Sequence, residues 1–88
     1  MTYSLALNPQ AQLDTEHAYS YYFNKVSPAV ADFFYQDLQE SYDTLEINPY
    51  YEIKVKNYRE LPLKKFPFLL FFEVIEAIRI QINILNNA

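Results

Sequence analysis

The sequence contains neither cysteine nor glycine among its 88 residues. Without cysteine the chain cannot form a disulfide, a zinc–thiolate site or a thiol nucleophile, and this composition is compatible with a reducing compartment. Without glycine it cannot build a glycine-rich phosphate loop or a dinucleotide-binding fingerprint. These two absences exclude the nucleotide-binding folds that depend on such loops.

Long hydrophobic runs and a basic surplus are also missing. The start, Met1-Thr2-Tyr3-Ser4, has no basic residue, and the apolar residues near it are too few for a signal core or a membrane span. We therefore expect a cytoplasmic protein. The net charge is −4, but residues 1–49 carry one lysine against seven acids, whereas residues 50–88 carry six bases against four acids. This balance argues against generic nucleic-acid binding, although a local basic patch remains in the second half.

Apolar and aromatic residues are abundant. Half of the chain is apolar, with nine tyrosines and seven phenylalanines. A chain of this length forms one domain, and these residues are enough for a packed core that needs no disulfide and no metal. We predict a single domain over residues 1–88, with no metal site and no cofactor.

Two helices are predicted in the first half. Ala11, Thr15, Ala18 and Tyr22 are spaced by four, three and four residues, which indicates a helix over about Pro9–Asn24. A second helix begins at Ser27-Pro28, because serine caps free amides and proline suits the first helical position. It continues to about Ile47 and stops at Asn48-Pro49. The short connection predicts an antiparallel helical hairpin.

The second helix is amphipathic. On its polar side we place Asp37, Glu40 and Asp43, and we interpret them as a solvated face rather than a metal site. The residues of its apolar stripe are Ala31, Phe34, Leu38, Ser41, Tyr42 and Leu45.

Strands are predicted before and after the helices. Pro62 interrupts one of them in a way that suits an edge or a bulge, and the aromatic run after Lys65 reads as the buried central strand. We predict an α+β fold of order β-α-α-β-β-β, with three or four antiparallel strands after the helices, in which the helical hairpin packs on a small antiparallel sheet. The predicted strands are Tyr3–Leu7, Glu52–Lys56, Arg59–Lys65, Phe66–Val74 and Ile78–Ile84.

Four pieces of this sequence resemble the ParE/RelE superfamily of bacterial toxins, which includes plasmid stabilisation proteins. Residues 11–22 are similar to the family's Ala-x-x-Asp/Glu-x-x-x-Ala-x-x-Tyr-Tyr helix, and Ser27-Pro28 with Phe34 and Leu38 is similar to its second helix. Asn48-Pro49 and the basic segment that leads into Phe66-Pro67-Phe68 complete the pattern. The resemblance covers nearly the whole chain and is closest to ParE-like members.

The resemblance implies the toxin of a type II toxin–antitoxin system, which inhibits growth and is neutralised by a cognate antitoxin. ParE-like members poison DNA gyrase, whereas RelE-like members cleave messenger RNA on the ribosome. We expect a ParE-like toxin that acts by binding proteins, alone as a homodimer or in a toxin–antitoxin hetero-oligomer, because the acidic balance disfavours approach to a polyanion. One alternative is a RelE-like, ribosome-dependent mRNA endoribonuclease.

A second alternative is a degenerate family member that retains only partner binding. The last strand of relatives commonly leads into a His-x-x-Arg-like tail, whereas this sequence gives Asn86-Asn87-Ala88. If that tail carries the activity in the family, the chain would lack it and keep only its binding surface.

The candidate site residues differ between the hypotheses. For RNA cleavage, Arg59 and Lys64 would stabilise the phosphate charge, with Arg59 as the first candidate and Tyr58 beside it as the third. The alternative explanation for Lys64 and Lys65 is a solvated edge-strand charge that discourages aggregation. For antitoxin binding, adjacent aromatics outside the apolar stripe suit an exposed docking surface. The predicted partner-binding residues are Phe33, Tyr35, Phe23 and Lys65.

His17 is the only histidine, and Arg79 alternates with core isoleucines. We interpret His17 as a structural residue, since it lies on the first helix away from the basic segment. Arg79 is predicted to lie on the sheet face opposite the core, where solvation explains it.

Overall fold

The computed structural model describes residues 3–50, 53–55, 58–76 and 79–87. The sheet order is β1-β5-β4-β3-β2, with β1 parallel to β5 and every other neighbouring pair antiparallel. This confirms the predicted α+β class and the helical hairpin, and adds one parallel pairing at β1. The elements are β1 (Ser4–Leu7), α1 (Pro9–Lys25), α2 (Pro28–Ile47), β2 (Ile53–Val55), β3 (Tyr58–Pro62), β4 (Phe68–Glu76) and β5 (Arg79–Asn87).

Both helices begin at a polar cap followed by proline. The Asn8 side chain accepts a hydrogen bond from the Ala11 N–H at 2.9 Å, and the Ser27 hydroxyl accepts one from the Val30 N–H at 3.1 Å. Each cap satisfies a backbone donor that has no partner inside the helix. The predicted helix bounds are confirmed to within a residue.

The helical hairpin covers one face of the sheet. The side chains of Phe34 and Phe66 contact each other edge to face at 5.6 Å between ring centroids, and Tyr22 packs against both. Burial of such side chains is the main source of stability in a domain of this size. The largest fully buried apolar side chains of α2 and the sheet are Phe34, Leu38, Leu45, Leu70, Phe72, Ile80 and Ile82.

The connection between β3 and β4 differs from the prediction. β3 ends at Pro62 rather than Lys65, and β4 begins at Phe68 rather than Phe66. Residues 64–67 form a bend in which the Leu63 N–H donates to the Phe68 carbonyl at 3.0 Å. Lys64 and Lys65 therefore lie in a loop and not on a basic strand.

Asp37 explains this bend. Its carboxylate accepts the backbone N–H groups of Lys64 at 3.3 Å, Lys65 at 2.9 Å and Phe66 at 3.0 Å. Asp37 is only 1% exposed, so its predicted place on the solvated face of the second helix is wrong. Buried carboxylates are tolerated where hydrogen bonds replace water, and here one loop supplies three.

β4 and β5 pair antiparallel, with irregularities in register. The pairing shifts between Phe71 and Phe72 and again between Val74 and Glu76. The Asp14 carboxylate of α1 accepts the Leu85 N–H of β5 at 3.2 Å, so each helix contributes one aspartate to the main chain of the sheet region. Glu52, Lys56 and Ile78, at the ends of predicted strands, lie outside the described residues.

Candidate partner-binding surfaces

Phe33 and Lys65, two of the predicted partner-binding residues, lie together in one cleft. Both side chains are exposed, Phe33 at 56%, and they line a cavity of about 420 Å³ with Phe66 and Glu40. Asp37 forms part of the same wall, and its three hydrogen bonds fix the main chain that carries Lys65. The cleft therefore combines an apolar surface with a cation whose backbone position is determined by a buried carboxylate.

Sequence reasoning missed the role of Asp37, although its position carried a signal. Asp37 lies three residues after Phe34 and four before Ser41, and both of these residues are buried. This spacing places Asp37 within the apolar stripe of α2. A carboxylate inside an apolar stripe indicates that backbone or cationic donors must come from elsewhere in the chain.

Tyr35 and Phe23, the other two predicted partner-binding residues, lie near each other on a different surface. Tyr19 contacts both rings, with centroid separations of 6.1 Å to Phe23 and 6.4 Å to Tyr35. The Tyr19 hydroxyl donates a hydrogen bond to Asp32 at 2.9 Å, which links α1 to α2. All four predicted residues are exposed, and they divide into two surfaces of the helical hairpin.

The side chains predicted for RNA cleavage do not converge on one site. They belong to Arg59, Tyr58 and Lys64. Arg59 pairs with Phe72, whose side chain is buried under the helices, and its guanidinium lies 5.3 Å from the centroid of the Tyr50 ring. Tyr58 precedes Arg59 on the strand, so its side chain points to the opposite sheet face. Lys64 lies beyond the other end of β3. The fold does not gather the three side chains around one point.

His17 lies in another cleft, and Arg79 lies on the exposed side of β5. The cleft of His17 has a volume of about 530 Å³ and is lined also by Tyr21, Pro67 and Asn87. None of Arg59, Lys64 and Lys65 lines it. Arg79 is exposed while the next residue, Ile80, is buried, which confirms the predicted alternation.

Tyr42 is a buried tyrosine whose hydroxyl has no hydrogen-bond partner in the described part of the chain. It is 7% exposed. Burial raises the pKa of Tyr42 to about 12; Tyr35 adds to the rise, and the nearby Thr15 hydroxyl opposes it. Thr15 itself donates to the Ala11 carbonyl at 2.9 Å. The Tyr42 phenol is therefore neutral at physiological pH.

Two kinds of feature are absent from the described residues. No group of three or more His, Asp or Glu side chains within them is placed to hold a metal ion. None of the helices described for this chain combines the length and the apolar character needed to cross a membrane.

The structure is similar to a solved chain from the chromosomal ParDE TA system of P. aeruginosa. The TM-score is 0.83 and the sequences are 26% identical, and the match covers 99% of this chain and 97% of the other. No protein-family model and no curated protein matches the sequence. The match includes both helices and the sheet, and its extent confirms that this chain resembles the ParE/RelE toxin superfamily and is ParE-like.

Proposed function

We propose that this protein is the toxin of a type II toxin–antitoxin system, that it is ParE-like and cytoplasmic, and that a cognate antitoxin neutralises it. The observation that carries the proposal is the similarity, over nearly the full length of both chains, to a chain of a ParDE TA system. The cellular target we propose is DNA gyrase, which the ParE resemblance implies. Since fold alone does not determine a target, local features must support this choice.

Binding rather than catalysis is favoured by the placement of the basic residues. General acid–base cleavage of RNA needs a base, an acid and cations within reach of one phosphate. Arg59 lies against Tyr50, and Lys64 lies in the loop beyond the opposite end of β3. A negative net charge of −4 also weakens attraction to the ribosome and its RNA.

We propose that the antitoxin binds the exposed aromatic residues of α1 and α2, forming a toxin–antitoxin hetero-oligomer. The cleft of Phe33 and Lys65 offers an apolar anchor beside a cation, and Tyr35 with Phe23 offers a second aromatic surface. A partner segment that folds on binding gains most from such anchors when they are already fixed in place. Asp37 provides that preorganisation for the loop of Lys65.

The test is induced expression in bacteria, with growth, the DNA damage response and messenger RNA integrity measured in the same culture. We expect growth arrest with DNA damage and intact RNA, and relief of the arrest when the cognate antitoxin is coexpressed. Arrest with cleaved messenger RNA would instead establish the RelE-like nuclease. If the folded protein causes no growth arrest, the remaining hypothesis is an inactive family member that retains only partner binding.

A double variant separates binding from cleavage. Under the proposal, Arg59→Ala combined with Lys64→Ala leaves growth arrest within about threefold of the parent in colony counts, because neither residue performs chemistry. Arg79→Ala, which removes an exposed cation elsewhere on the sheet, is the matched control. Loss of arrest in the double variant alone, with the variant folded, would contradict the proposal.

A further inference from the structure

The two edges of the sheet differ in how well they are protected against pairing with another strand. At one edge, β2 is three residues long, includes Lys54 and pairs with β3 in an irregular register. Short length, a lysine and a bulge all keep an edge from pairing with a further strand. At the other edge, β1 (Ser4–Leu7) pairs in regular register and contains neither a charged residue nor proline. The β1 edge is therefore the one suited to strand addition.

The hydrogen bonds around β1 show which of its backbone groups point away from the sheet. The Asn8 N–H donates to a carbonyl of β5 at 3.0 Å, whereas the Tyr3 N–H donates away from β5, to the Glu46 carbonyl of α2 at 2.8 Å. Successive residues of a strand direct their backbone groups to alternate sides. Leu5 and Leu7 therefore point their N–H and C=O groups outward, as Tyr3 does.

The outward backbone groups of Leu5 and Leu7 have no hydrogen-bond partner within the described residues. They amount to two N–H and two C=O groups. Tyr3, the next outward residue, is already bonded to α2, so the open edge is limited to Leu5 and Leu7. A strand that pairs with this edge replaces water at two donors and two acceptors, which is how strand addition binds an extended segment.

A second copy of β1 matches this pattern of donors and acceptors completely. When two copies lie antiparallel about a twofold axis at Ala6, Leu5 of each copy lies opposite Leu7 of the other. Each of these pairs exchanges two hydrogen bonds, so every outward N–H and C=O group of Leu5 and Leu7 finds a partner. The strand has no charged residue, so the paired strands bring no like charges together.

The side chains at this edge also favour a second copy. Leu5 and Leu7 pair with Ile80 and Ile82, which are both buried under the helices, so all four side chains lie on the covered face of the sheet. Leu7 is 38% exposed, whereas Leu5 packs against the core. In the antiparallel arrangement Leu7 contacts Leu5 of the second copy. The pairing therefore covers an apolar side chain that one copy alone leaves open.

We propose that two copies of this protein associate through β1, joining their five-stranded sheets into one continuous sheet with both helical hairpins on the same face. Because the contact is short, we expect a dissociation constant of about 10 µM to 1 mM. The proposal goes beyond the toxin function and does not depend on it, since its test measures association of the protein with itself and not growth.

The test combines analytical ultracentrifugation with amide hydrogen exchange of the ¹⁵N-labelled full chain, at concentrations from about 10 µM to about 1 mM. We expect a monomer–dimer equilibrium. Exchange at the Leu5 and Leu7 amides should slow about twofold to fivefold as the concentration rises, because these N–H groups gain acceptors only in the dimer. The Asn8 amide, which is bonded to β5 within one copy, is the internal control and should change much less.

Variants of Ala6 test the position of the twofold axis. Ala6 is exposed and lies opposite Ala6 of the second copy in the proposed dimer. Ala6→Lys and Ala6→Glu should each weaken self-association about twofold to fivefold, because like charges lie directly opposite, whereas an equimolar mixture of the two should associate at least as tightly as the parent. Asn86→Lys, at an exposed residue of β5 inside the sheet, is the matched control and should leave association unchanged.

Several outcomes would overturn the proposal. These are a monomer at every concentration, exchange at Leu5 and Leu7 that does not depend on concentration, or equal losses of association in Ala6→Lys and Asn86→Lys. A chain that stays monomeric, and whose Leu5 and Leu7 amides are protected only when the cognate antitoxin is added, would assign this edge to the antitoxin instead. None of these results bears on growth arrest, so the toxin proposal stands or fails separately.

Discussion

Asp37 and Tyr42 lie five residues apart on α2, and burial affects them differently. The Asp37 carboxylate is surrounded by three N–H donors of one loop, whereas the Tyr42 hydroxyl has no partner within the described residues. A satisfied buried carboxylate contributes to stability and fixes its donors, while an unpaired buried hydroxyl lowers the stability of the folded state. Removing a polar atom from Asp37 should therefore lower the free energy of unfolding, whereas removing the hydroxyl of Tyr42 should not lower it.

Replacement of Asp37 with asparagine keeps the size of the side chain and removes its charge and one acceptor oxygen. We expect the free energy of unfolding to fall by about 2–3 kcal/mol, because backbone donors of the loop lose a charged partner. Urea denaturation followed by circular dichroism measures the change. Asp43→Asn, at an exposed site of the same helix, should stay within about 0.5 kcal/mol of the parent. Equal values for the two variants would show that the loop does not depend on Asp37.

Tyr42 predicts a loss of stability at alkaline pH. Its pKa is about 12 in the folded protein against an ordinary value of 10.0, so above pH 10 the unfolded chain loses this proton while the folded chain keeps it. Below pH 10 both states keep the Tyr42 proton, so this pKa difference leaves the free energy of unfolding unchanged. Between pH 10 and 12 it lowers the free energy of unfolding by about 2–3 kcal/mol in total.

Tyr42→Phe isolates this effect from that of the other tyrosines. Near pH 7 we expect the variant to be as stable as the parent or up to about 1 kcal/mol more stable, since an unpaired hydroxyl is removed. Between pH 10 and 12 its stability should fall less steeply than that of the parent in urea titrations. Parallel curves for parent and variant would contradict the raised pKa of Tyr42.

At the scale of elements, local signals determined the parts of the fold that could be predicted. The helix starts at Asn8-Pro9 and Ser27-Pro28 are set by neighbours within three residues, so the sequence alone reveals them. The ends of β3 and β4 depend on Asp37, which precedes its hydrogen-bond partners by 27 to 29 residues. No local pattern in the basic segment shows that a distant carboxylate bends it.

The Ser27 cap should contribute measurably to the stability of the protein through α2. We expect Ser27→Ala to lower the free energy of unfolding by about 1 kcal/mol, because the Val30 N–H loses its acceptor at the start of the helix. Thermal or urea denaturation measures the loss. Ser20→Ala, at an exposed position inside α1, is the control and should have a much smaller effect. A loss at Ser20 as large as that at Ser27 would contradict the capping role.

At the scale of the whole molecule, the sequence predicted which aromatic residues of the candidate site are exposed, but not which of them lie together. Phe33 and Tyr35 stood out because two adjacent aromatics lay outside the stripe, and both are exposed, at 56% and 47%. Their separation into two surfaces follows from α2, since residues two apart on a helix point in different directions. The apolar spacing of Tyr42 correctly assigned it to the core, but spacing alone does not show that its hydroxyl lacks a partner among the described residues.

The cleft of Phe33 and Lys65 predicts a strong effect on antitoxin binding. Phe33→Ala combined with Lys65→Ala should weaken the affinity for the cognate antitoxin at least about 30-fold, as truncation of an aromatic anchor and its neighbouring cation commonly does. Calorimetric titration with the purified antitoxin measures the change. Ile47→Ala, at a 76% exposed apolar residue near the end of the same helix, is the control and should change the affinity less than about threefold. Comparable losses in both variants would place the antitoxin elsewhere.

The position of β5 has a consequence for the time at which the protein becomes functional. β5 lies between β1 and β4 in the sheet, although it is synthesised after every other described element. While the ribosome still holds the segment that forms β5, β1 has no neighbour to pair with, and the helical hairpin of α1 and α2 has only part of the sheet to cover. We therefore expect the nascent chain to stay incompletely folded until β5 has emerged from the ribosome. The surfaces that α1 and α2 present to partners would then form only late in synthesis, once the last described strand has been made.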